Sequence, residues 1–350
     1  MKALFLAGGM GTRLRPLTNS LPKPMVPVMS KPLLERNLLN LKRYGVNDIV
    51  ISTCYKPYYI ERYFGDGSEH GLNIKYVAED IPLGTGGAIK NAHRYFNDTF
   101  IIFNSDILSD INLNNMIAFH KEKQADVTIA ATYVENPSMY GVIEYDDKDY
   151  ALTFKEKPSP GEITSNYINA GIYVFEPHVL DEIPADRVVS VEKETFPKLL
   201  EKGYKIAVFK SECYWMDIGT HEKYIQAHKD IFDARCSISE KEFNASEGFI
   251  SSSCKIHPSA TVERPVYIAD NVEIGPFAYI GPGTVIGRNC RIGTASRVVG
   301  SILWDDVHVE SGCVLINSVI SHKCLINRYE EYYNTIYAGD ISKTLAVKSS

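Results

Sequence analysis

Up to about residue 235, short apolar runs alternate with segments of helical periodicity. The apolar run Leu4 to Ala7 is followed by PLLERNLLNLKRYG, in which proline stands at the start, apolar residues recur at helical spacing and Gly45 ends the pattern. Strands are predicted over NDIVIST, NIKYV and TFIIF, with one helix ending near Gly65 and another over GAIKNAHRYF. This alternation predicts an α/β fold with a Rossmann-like, doubly wound mixed sheet that is mostly parallel.

Two polar segments follow strands of this predicted sheet. A glycine cluster comes directly after the first strand, and NSD (104–106) comes directly after TFIIF. In doubly wound sheets ligands bind beyond the carboxyl ends of the strands. We therefore expect both segments to lie at the edge of the sheet that carries the binding site.

The second half of the chain has a period of six residues, which neither a helix nor a single strand produces. Coils of very short parallel strands do produce it, with one inward aliphatic residue on each face. The pattern resembles the hexapeptide repeat and predicts a left-handed parallel β-helix of roughly four coils at about 18 residues each. The aliphatic positions are Ile256, Val262, Ile268, Ile274, Ile280, Ile286, Ile292 and Val298.

The change of period predicts the domain boundaries. The first domain is predicted over 1–235, and a Ser- and Glu-rich linker over 236–254. The β-helix is predicted over 255–327, although its pattern blurs after Val298 and returns only loosely. The remaining 328–350 is expected to be a cap or tail, in which YEEYYNTIY closes the open end.

Composition and charge narrow the function classes. The 37 Lys and Arg residues against 43 Asp and Glu residues give a formal net charge of −6, which argues against a broad nucleic-acid surface. No apolar run approaches the roughly 20 residues that span a membrane. The seven cysteines are odd in number and form no CxxC pair, so we expect reduced thiols, no zinc site and a cytoplasmic location.

The glycine cluster, GGMG at 8–11, matches neither common nucleotide motif. Leu14 occupies the third glycine position of GxGxxG, and the Walker pattern is absent. Backbone N–H groups of such a loop can still bind phosphate oxygens, Arg13 can add two parallel hydrogen bonds and Lys23 a compact charge. A plain glycine turn with solvated charges is the alternative.

Together with later motifs, this stretch resembles the sugar-1-phosphate nucleotidyltransferases. LAGGMGTRLRPLT, PKPMVPV and KPLLE carry the resemblance, which continues through PLGTGGA (82–88), NSD, YGV (140–142), FKEKP (154–158), NAGIYVF (169–175) and WMDIG (215–219). Within that family, SVEKETFPKL and CYWMDIG are most similar to the mannose-1-phosphate guanylyltransferases. The resemblance implies an enzyme that joins mannose 1-phosphate to GTP and releases pyrophosphate, with Mg²⁺ and no organic cofactor.

The resemblance also implies residue roles. Asp106 and Asp217 would bind Mg²⁺, which prefers one or two carboxylates together with substrate phosphates. With them, Arg13 and Lys23 would form the catalytic set by balancing the phosphate charge. The implied nucleotide-binding residues are Ala7, Gly8, Gly9, Gly11, Thr12, Arg13, Glu79, Gly84, Thr85 and Gly86. The implied sugar-phosphate residues are Gly141, Glu156, Lys157 and Asn169.

Several alternatives remain open at this point. A carboxylate at Glu79 could accept two hydrogen bonds from guanine, although a solvent-facing glutamate at a strand end fits the sequence equally well. Transfer of thymidylyl, uridylyl or adenylyl groups to glucose 1-phosphate uses the same motifs, and a noncatalytic sugar-nucleotide-binding subunit is a further alternative. His257, His308 and His322 are expected at the surface or at subunit contacts rather than in an acyltransferase site. The β-helix is expected to mediate homo-oligomer formation.

Overall fold

The computed structural model describes residues 1–238, 243–339 and 341–344, with the side chains of Pro160 and of 341–344 excepted. The chain forms two compact units. One contains Met1–Met10 and Asn37–Asp217, and the other contains Gly11–Arg36 and Ile218–Ser350. None of the helices in the described ranges combines the length and the apolar character that crossing a membrane requires.

The first part of the chain confirms the predicted alternation of strands and helices. In chain order its elements are β1 Lys2–Ala7, β2 Pro27–Val28, β3 Lys31–Pro32, α1 Leu33–Arg43, β4 Asp48–Thr53, α2 Pro57–Phe64, β5 Asn73–Ala78, α3 Gly84–Asn91, β6 Phe100–Asn104, β7 Ile107–Ser109, α4 Leu113–Lys123, β8 Val127–Tyr133, β9 Gly141–Tyr145, β10 Ala151–Glu156, β11 Tyr167–Phe175, α5 Phe196–Glu201, β12 Ile206–Lys210, β13 Trp215–Asp217 and α6 His221–Phe232. Short 3₁₀ turns and one π-helical turn connect them at Thr12–Leu14, Leu17–Asn19, Lys23–Met25, Ser68–His70, His93–Tyr95, Pro137–Met139, Pro160–Glu162, Pro177–Glu182 and Val191–Thr195.

The first unit is built on a nine-stranded mixed sheet. Its main path runs β10–β9–β11–β6–β1–β4–β5, and β8 and β12 continue from β11. The strands β6, β1, β4 and β5 are parallel, whereas β11 is antiparallel to β6, β8 and β9. The apolar run TFIIF forms β6 at the centre, where its residues are buried on both faces of the sheet, as a continuous apolar strand predicts.

The second half of the chain is the predicted parallel β-helix. Its strands are β14 Gly248–Ile250, β15 Lys255–Ile256, β16 Thr261–Val262, β17 Val266–Ile268, β18 Glu273–Ile274, β19 Tyr279–Ile280, β20 Thr284–Ile286, β21 Arg291–Ile292, β22 Arg297–Val299, β23 Ile302–Leu303, β24 His308–Val309, β25 Val314–Ile316, β26 Val319–Ile320, β27 Leu325–Ile326, β28 Glu331–Tyr333, β29 Thr335–Ala338 and β30 Ile341–Thr344. Every third strand pairs in parallel, which generates three sheets; β30 alone pairs antiparallel, with β29.

Each of the eight predicted aliphatic positions lies on one of these strands. From Ile268 to Val298 the predicted positions are at most 2% exposed and form the core of the coil. The period-six prediction is therefore confirmed. It also specifies the register, since Ile268 pairs with Ile286 across one 18-residue coil.

The pattern blurs after Val298 because the coil becomes one residue shorter. Ile286 pairs with Leu303 and Leu303 with Ile320, so each of these coils has 17 residues. On one face of every such coil, the inward-facing residue therefore occurs one residue earlier in the sequence than a period of six predicts. In the last coil Tyr332 and Tyr337 replace the aliphatic residues, and their rings lie 5.1 Å apart.

The described strands of the β-helix extend beyond the predicted range 255–327 at both ends. The predicted linker contains β14, and YEEYYNTIY forms β28 and β29, which are the last coil rather than a separate cap. The helix is accordingly longer than the four predicted coils. Parts of the predicted linker (239–242) and of the predicted tail (340 and 345–350) lie outside the described residues.

Candidate active site

The sugar-phosphate residues implied by the sequence meet at one end of three adjacent strands. On the β9–β10 ladder Glu156 pairs with Gly141, and on the β9–β11 ladder Val142 pairs with Ile168, beside Asn169. A Cβ added at Gly141 would lie 2.8 Å from Oε2 of Glu156 and 2.7 Å from the ring of Phe154. Glycine at 141 is therefore what allows the Glu156 carboxylate to approach the backbone so closely.

Asn169 is oriented by hydrogen bonds on both sides of its amide. Its Oδ1 accepts from the backbone N–H of Gly171, and its Nδ2 donates to the Tyr173 hydroxyl at 2.8 Å. Gly171 has a φ of +71°, and a Cβ there would lie 2.7 Å from Nδ2 of Asn104. These residues lie in a bulge of β11, and the bulge and its hydrogen bonds fix the orientation of the Asn169 side chain.

Glu156 lies in an environment that disfavours its charged form. Burial raises the pKa of the Glu156 carboxyl most, and the negative charge of Glu192 raises it further, while Lys157 and Lys193 oppose the shift. Lys157 itself is 62% exposed, with Nζ 3.7 Å from Oε1 of Glu156. Its exposed ammonium group remains accessible to a substrate phosphate.

The Glu79 carboxylate is a buried structural acceptor next to the first glycines. Oε1 accepts a hydrogen bond from the Ser52 hydroxyl at 2.9 Å, and Oε2 accepts from the Leu83 backbone N–H at 2.9 Å. A Cβ added at Gly8 would lie 3.2 Å from Cβ of Cys54 and 3.5 Å from Oε1 of Glu79. The solvent-facing alternative for Glu79 is therefore wrong. Each oxygen keeps a further lone pair for a ligand donor.

The glycines of PLGTGGA pack against the segment that contains Val189. Gly84 has a φ of +73°, and Cβ atoms at Gly84 and Gly86 would come within 2.5 and 2.8 Å of Val189 atoms. The Gly86 backbone N–H donates to the Val189 carbonyl oxygen at 2.9 Å. Close packing within the protein is therefore one demonstrated reason for these glycines. Between them, Thr85 donates to Oε2 of Glu192 at 2.6 Å.

The two predicted metal ligands come together although 110 residues separate them. In the antiparallel ladder of β7 and β13, Asp217 pairs directly with Ile107, the residue that follows Asp106. The Ser105 hydroxyl donates to the Leu6 carbonyl oxygen at 2.6 Å and ties this turn to the end of β1. One aspartate at the end of β13 and another just before the paired strand β7 are suitable ligands for a divalent cation that also takes oxygens from phosphates. No cluster of three or more His, Cys, Asp or Glu side chains with metal-binding geometry occurs in the described ranges.

Residues 11–32, which include Arg13 and Lys23 and are here called the basic loop, belong to the second unit. Gly11 has a φ of +63°, and a Cβ there would lie 2.9 Å from Cβ of Lys23. The Thr18 hydroxyl donates to the Gly11 carbonyl oxygen at 2.8 Å, which holds the loop closed. Lys23 is 6% exposed, whereas Thr12 and Arg13 are exposed at the start of the 3₁₀ turn.

Sequence reasoning missed the residues that connect these groups. Glu192 accepts from Thr85 and from the Tyr173 hydroxyl, so one carboxylate joins the PLGTGGA loop to the Asn169 strand. Trp215 donates its indole N–H to the Ala170 carbonyl oxygen and packs edge-on against Tyr140. The motifs SVEKETFPKL and WMDIG contained Glu192 and Trp215, but spacing alone gave neither residue a partner.

Comparison with known proteins identifies the family. The protein-family model described as Nucleotidyl transferase matches residues 2–234, which is more than half of the chain. The family model described as GMPPB C-terminal domain matches residues 262–347. The chain belongs to the nucleotidyl transferase family. It is an enzyme of the sugar-1-phosphate nucleotidyltransferase type, as the sequence motifs predicted.

Individual relatives of this nucleotidyltransferase cover most of its length. A mannose-1-phosphate guanylyltransferase of Mycobacterium tuberculosis is 40% identical over 89% of this chain and 82% of its own. A UTP–glucose-1-phosphate uridylyltransferase of Synechocystis is 32% identical over 94% and 89%. The crystal structure of HddC from Yersinia pseudotuberculosis complexed with GMP-PN is 31% identical, with a TM-score of 0.56, over 65% of this chain and 97% of that one.

Proposed function

We propose that this nucleotidyltransferase is a Mg²⁺-dependent mannose-1-phosphate guanylyltransferase, which forms GDP-mannose and pyrophosphate from GTP and mannose 1-phosphate. The observation that carries the proposal is the 40% identity to a mannose-1-phosphate guanylyltransferase over 89% of the chain. The relative crystallised with GMP-PN adds support for a guanine nucleotide. The uridylyltransferase among the relatives makes UTP with glucose 1-phosphate the principal competing pair.

The proposed chemistry requires charge balance and alignment more than reactive side chains. Arg13 and Lys23 bind the triphosphate and the departing pyrophosphate, because crowded phosphate charges must be neutralised before an oxygen can attack. Asp106 and Asp217 would hold Mg²⁺, which would supply Lewis-acid polarisation of the α-phosphate. Lys157 binds the phosphate of the sugar and directs its oxygen toward the α-phosphorus.

The sugar ring is held by the Gly141, Glu156 and Asn169 cluster. The ionised Glu156 carboxylate accepts hydrogen bonds from sugar hydroxyls, and the Asn169 amide, fixed by Tyr173 and Gly171, sets the direction of a further bond. Because Gly141 has no side chain, the Glu156 carboxylate lies close to the backbone beside the proposed position of the sugar. The protein thus discriminates sugars by fixed polar groups rather than by shape alone.

Guanine recognition is assigned to Glu79. A carboxylate offers acceptors to the N1–H and N2–H₂ donors of guanine, whereas uracil and thymine present one donor between two acceptors. Ser52 and Leu83 hold both oxygens in place without using all their lone pairs. A fixed, buried acceptor pair of this kind penalises a base that leaves it unpaired.

A substrate grid tests the proposal. Pyrophosphate release is measured for GTP, UTP, dTTP and ATP, each with mannose 1-phosphate and with glucose 1-phosphate. We expect kcat/KM for GTP with mannose 1-phosphate to exceed every other pair by at least tenfold. A clearly better result with another pair contradicts the guanylyl assignment, and absence of turnover with all pairs favours a noncatalytic sugar-nucleotide-binding subunit.

Replacing Glu79 by glutamine tests the base assignment. The amide turns one acceptor into a donor, so we expect the preference for GTP over UTP to fall by roughly tenfold or more. Asp80→Asn, a charge-neutralising change at the adjacent exposed position, is the matched control and should leave the preference unchanged. An unchanged ratio in the Glu79 variant would assign guanine recognition elsewhere.

The shifted Glu156 carboxyl predicts a pH effect. Its raised pKa brings protonation, and loss of the acceptor, to a higher pH than for an ordinary glutamate, so activity falls early on the acid side. Glu192→Gln removes the second cause of the shift and should move the acid limb of kcat/KM for the sugar phosphate to lower pH. Glu194→Gln, which changes a neighbouring exposed carboxylate, should leave the limb in place.

The chain is also proposed to form a homo-oligomer through its β-helix. Phe277 and Tyr329 are 71% and 76% exposed and lie at the same type of corner, Phe277 one coil before Ala295 and Tyr329 one coil after Gly312. Bulky residues with positive φ are unusual at exposed corners. If this edge contacts a second copy, Phe277→Ser with Tyr329→Ser will lower the molar mass measured by light scattering, while a Tyr133→Ser variant in the other unit will not.

A further inference from the structure

The basic loop and the β-helix are connected by a chain of buried hydrogen bonds within the second unit. The Trp304 indole N–H donates to the Tyr224 hydroxyl at 2.9 Å, and that hydroxyl donates to the Pro27 carbonyl oxygen at 2.7 Å. Trp304 follows β23 of the β-helix, Tyr224 lies on α6 and Pro27 begins β2. Trp304 and Tyr224 are 2% and 0% exposed, so water does not compete for these bonds.

A second set of bonds fixes the tight turn that joins β2 to β3. Met29 donates its backbone N–H to Nε2 of His228 at 3.2 Å, and Nδ1 of His228 donates to the Tyr224 carbonyl oxygen at 2.9 Å. Burial lowers the pKa of His228 to about 4, so its ring is neutral and Nε2 can accept. Arg36 donates to the carbonyl oxygens of Val28 and Met29 at 2.8 and 2.7 Å.

The turn needs this support because its own residues disfavour it. Met29 and Ser30 have φ values of 46° and 62°, a conformation that glycine, asparagine and aspartate adopt most readily. Neither residue is of those types, and each left-handed residue costs about 1 kcal/mol or more. The Ser30 hydroxyl also reaches Oδ1 of Asp305 in the β-helix, at 3.3 Å. A strained turn persists only where its surroundings determine it.

The same segment carries Lys23. The Val26 backbone N–H donates to the Lys23 carbonyl oxygen at 3.1 Å, and the Leu33 N–H donates to the Val26 carbonyl oxygen at 3.0 Å. Residues 23–33 are thus one hydrogen-bonded piece, and it is anchored at Pro27 and Met29. Displacing the anchors displaces Lys23.

We propose that Trp304 and Tyr224 are positioning residues, through which the β-helix sets the location of Lys23 for binding the nucleotide phosphates. The inference rests on the proposed function in one respect only, the role of Lys23 in the reaction. It gives the β-helix a part in turnover within a single chain, in addition to any role in assembly. Neither residue touches substrate; both act through the Pro27 carbonyl.

Tyr224→Phe tests the inference because it keeps the ring and removes only the hydroxyl. Trp304→Phe removes the indole N–H donor together with part of the buried ring, so it serves as the supporting variant. With the best substrate pair of the grid, we expect Tyr224→Phe to lower kcat/KM for the nucleotide at least fivefold, and Trp304→Phe by a smaller factor. KM for the sugar phosphate should stay within twofold, because the residues proposed to hold the sugar belong to the other unit. Tyr332→Phe removes a hydroxyl from the last coil of the β-helix and is the matched control, expected to match the wild type.

A double-mutant cycle with Lys23→Met separates positioning from general loss of stability. If Tyr224 acts through Lys23, Tyr224→Phe will change kcat/KM less than twofold in the Lys23→Met background. A full and additive loss there overturns the inference. The inference is also overturned if Tyr224→Phe lowers only the fraction of enzyme that is active and leaves KM for the nucleotide unchanged. That result would indicate a merely structural role.

A second measurement does not depend on turnover. Hydrogen exchange of peptides spanning 23–33 should quicken at least tenfold in Tyr224→Phe, and remain unchanged in Tyr332→Phe. Unchanged exchange in the Tyr224 variant overturns the inference even if the enzyme assay finds no substrate pair. Quickened exchange without any turnover by the wild type upholds the anchoring of the loop and contradicts the proposed function.

Discussion

Replacing Asp217 or Asp106 by asparagine will lower kcat by at least roughly two to three orders of magnitude while leaving the protein folded. Asp217 pairs with Ile107 in the β7–β13 ladder, and Asp106 directly precedes β7. An amide is a far weaker ligand for a hard divalent cation than a carboxylate. Loss of transition-state charge stabilisation of this kind is worth several kcal/mol. Measurement of kcat at saturating Mg²⁺ and substrates checks the prediction.

Control variants and measurements test whether the loss of activity is specific to Asp106 and Asp217. Asp98→Asn changes an exposed carboxylate of the same unit and should keep full activity. Melting temperatures of both ladder variants should lie within a few degrees of the wild type, and their activation by Mg²⁺ should require higher concentrations. A loss below about tenfold, which corresponds to 1.4 kcal/mol, would exclude the residue as a principal metal ligand.

Lys23→Met will lower kcat/KM for the nucleotide by roughly two to three orders of magnitude. In its proposed role, Lys23 makes charge-assisted hydrogen bonds to the triphosphate, which are about twice as strong as neutral ones. Because the side chain is 6% exposed, water screens them little. Methionine keeps the unbranched shape of the side chain and removes only the charge. Steady-state kinetics with the nucleotide varied gives the measurement.

Two further variants sharpen the interpretation. Lys31→Met removes a more exposed lysine from the same segment, where it lies 4.0 Å from Glu35, and should cost less than threefold. Lys23→Arg should not restore activity, because the side chain is 6% exposed and a Gly11 Cβ would already lie 2.9 Å from its Cβ. Near-normal kinetics of Lys23→Met would assign phosphate binding to other residues and leave Arg13 as the main candidate.

Much of the candidate site could be predicted because its motifs follow strands whose hydrophobic pattern is unambiguous. The NSD motif begins at the last residue of the buried strand β6, and Gly8 comes directly after β1, so sheet topology alone predicted both at one edge. The proximity of Asp217 to the residue after Asp106 could not be derived from spacing, since β13 joins β7 only through a short antiparallel ladder. The family resemblance predicted the two aspartates as metal ligands, and this assignment stays a prediction.

For Glu79 and the PLGTGGA glycines, the sequence alone did not decide which neighbours these residues contact. A glutamate at a strand end is equally compatible with solvent and with the interior, and only the Ser52 and Leu83 contacts decide for the interior. The sequence suggested that these glycines make room for a ligand, whereas the atoms nearest to a Cβ at Gly84 or Gly86 belong to Val189, a residue about a hundred positions away. A pattern reports local periodicity and does not report which distant segment fills the space beside it.

By itself the sequence determined the two architectures, because a continuous apolar strand and a six-residue aliphatic period each satisfy only one kind of backbone pairing. It also determined which residue types were available for phosphate and metal binding. Only the tertiary structure decided that residues 11–36 form one unit with α6 and the β-helix, and that Glu192 joins two parts of the sugar site. The reason is physical: buried hydrogen bonds such as the one from Trp304 to Tyr224 join residues far apart in the chain, and no local pattern encodes their partners.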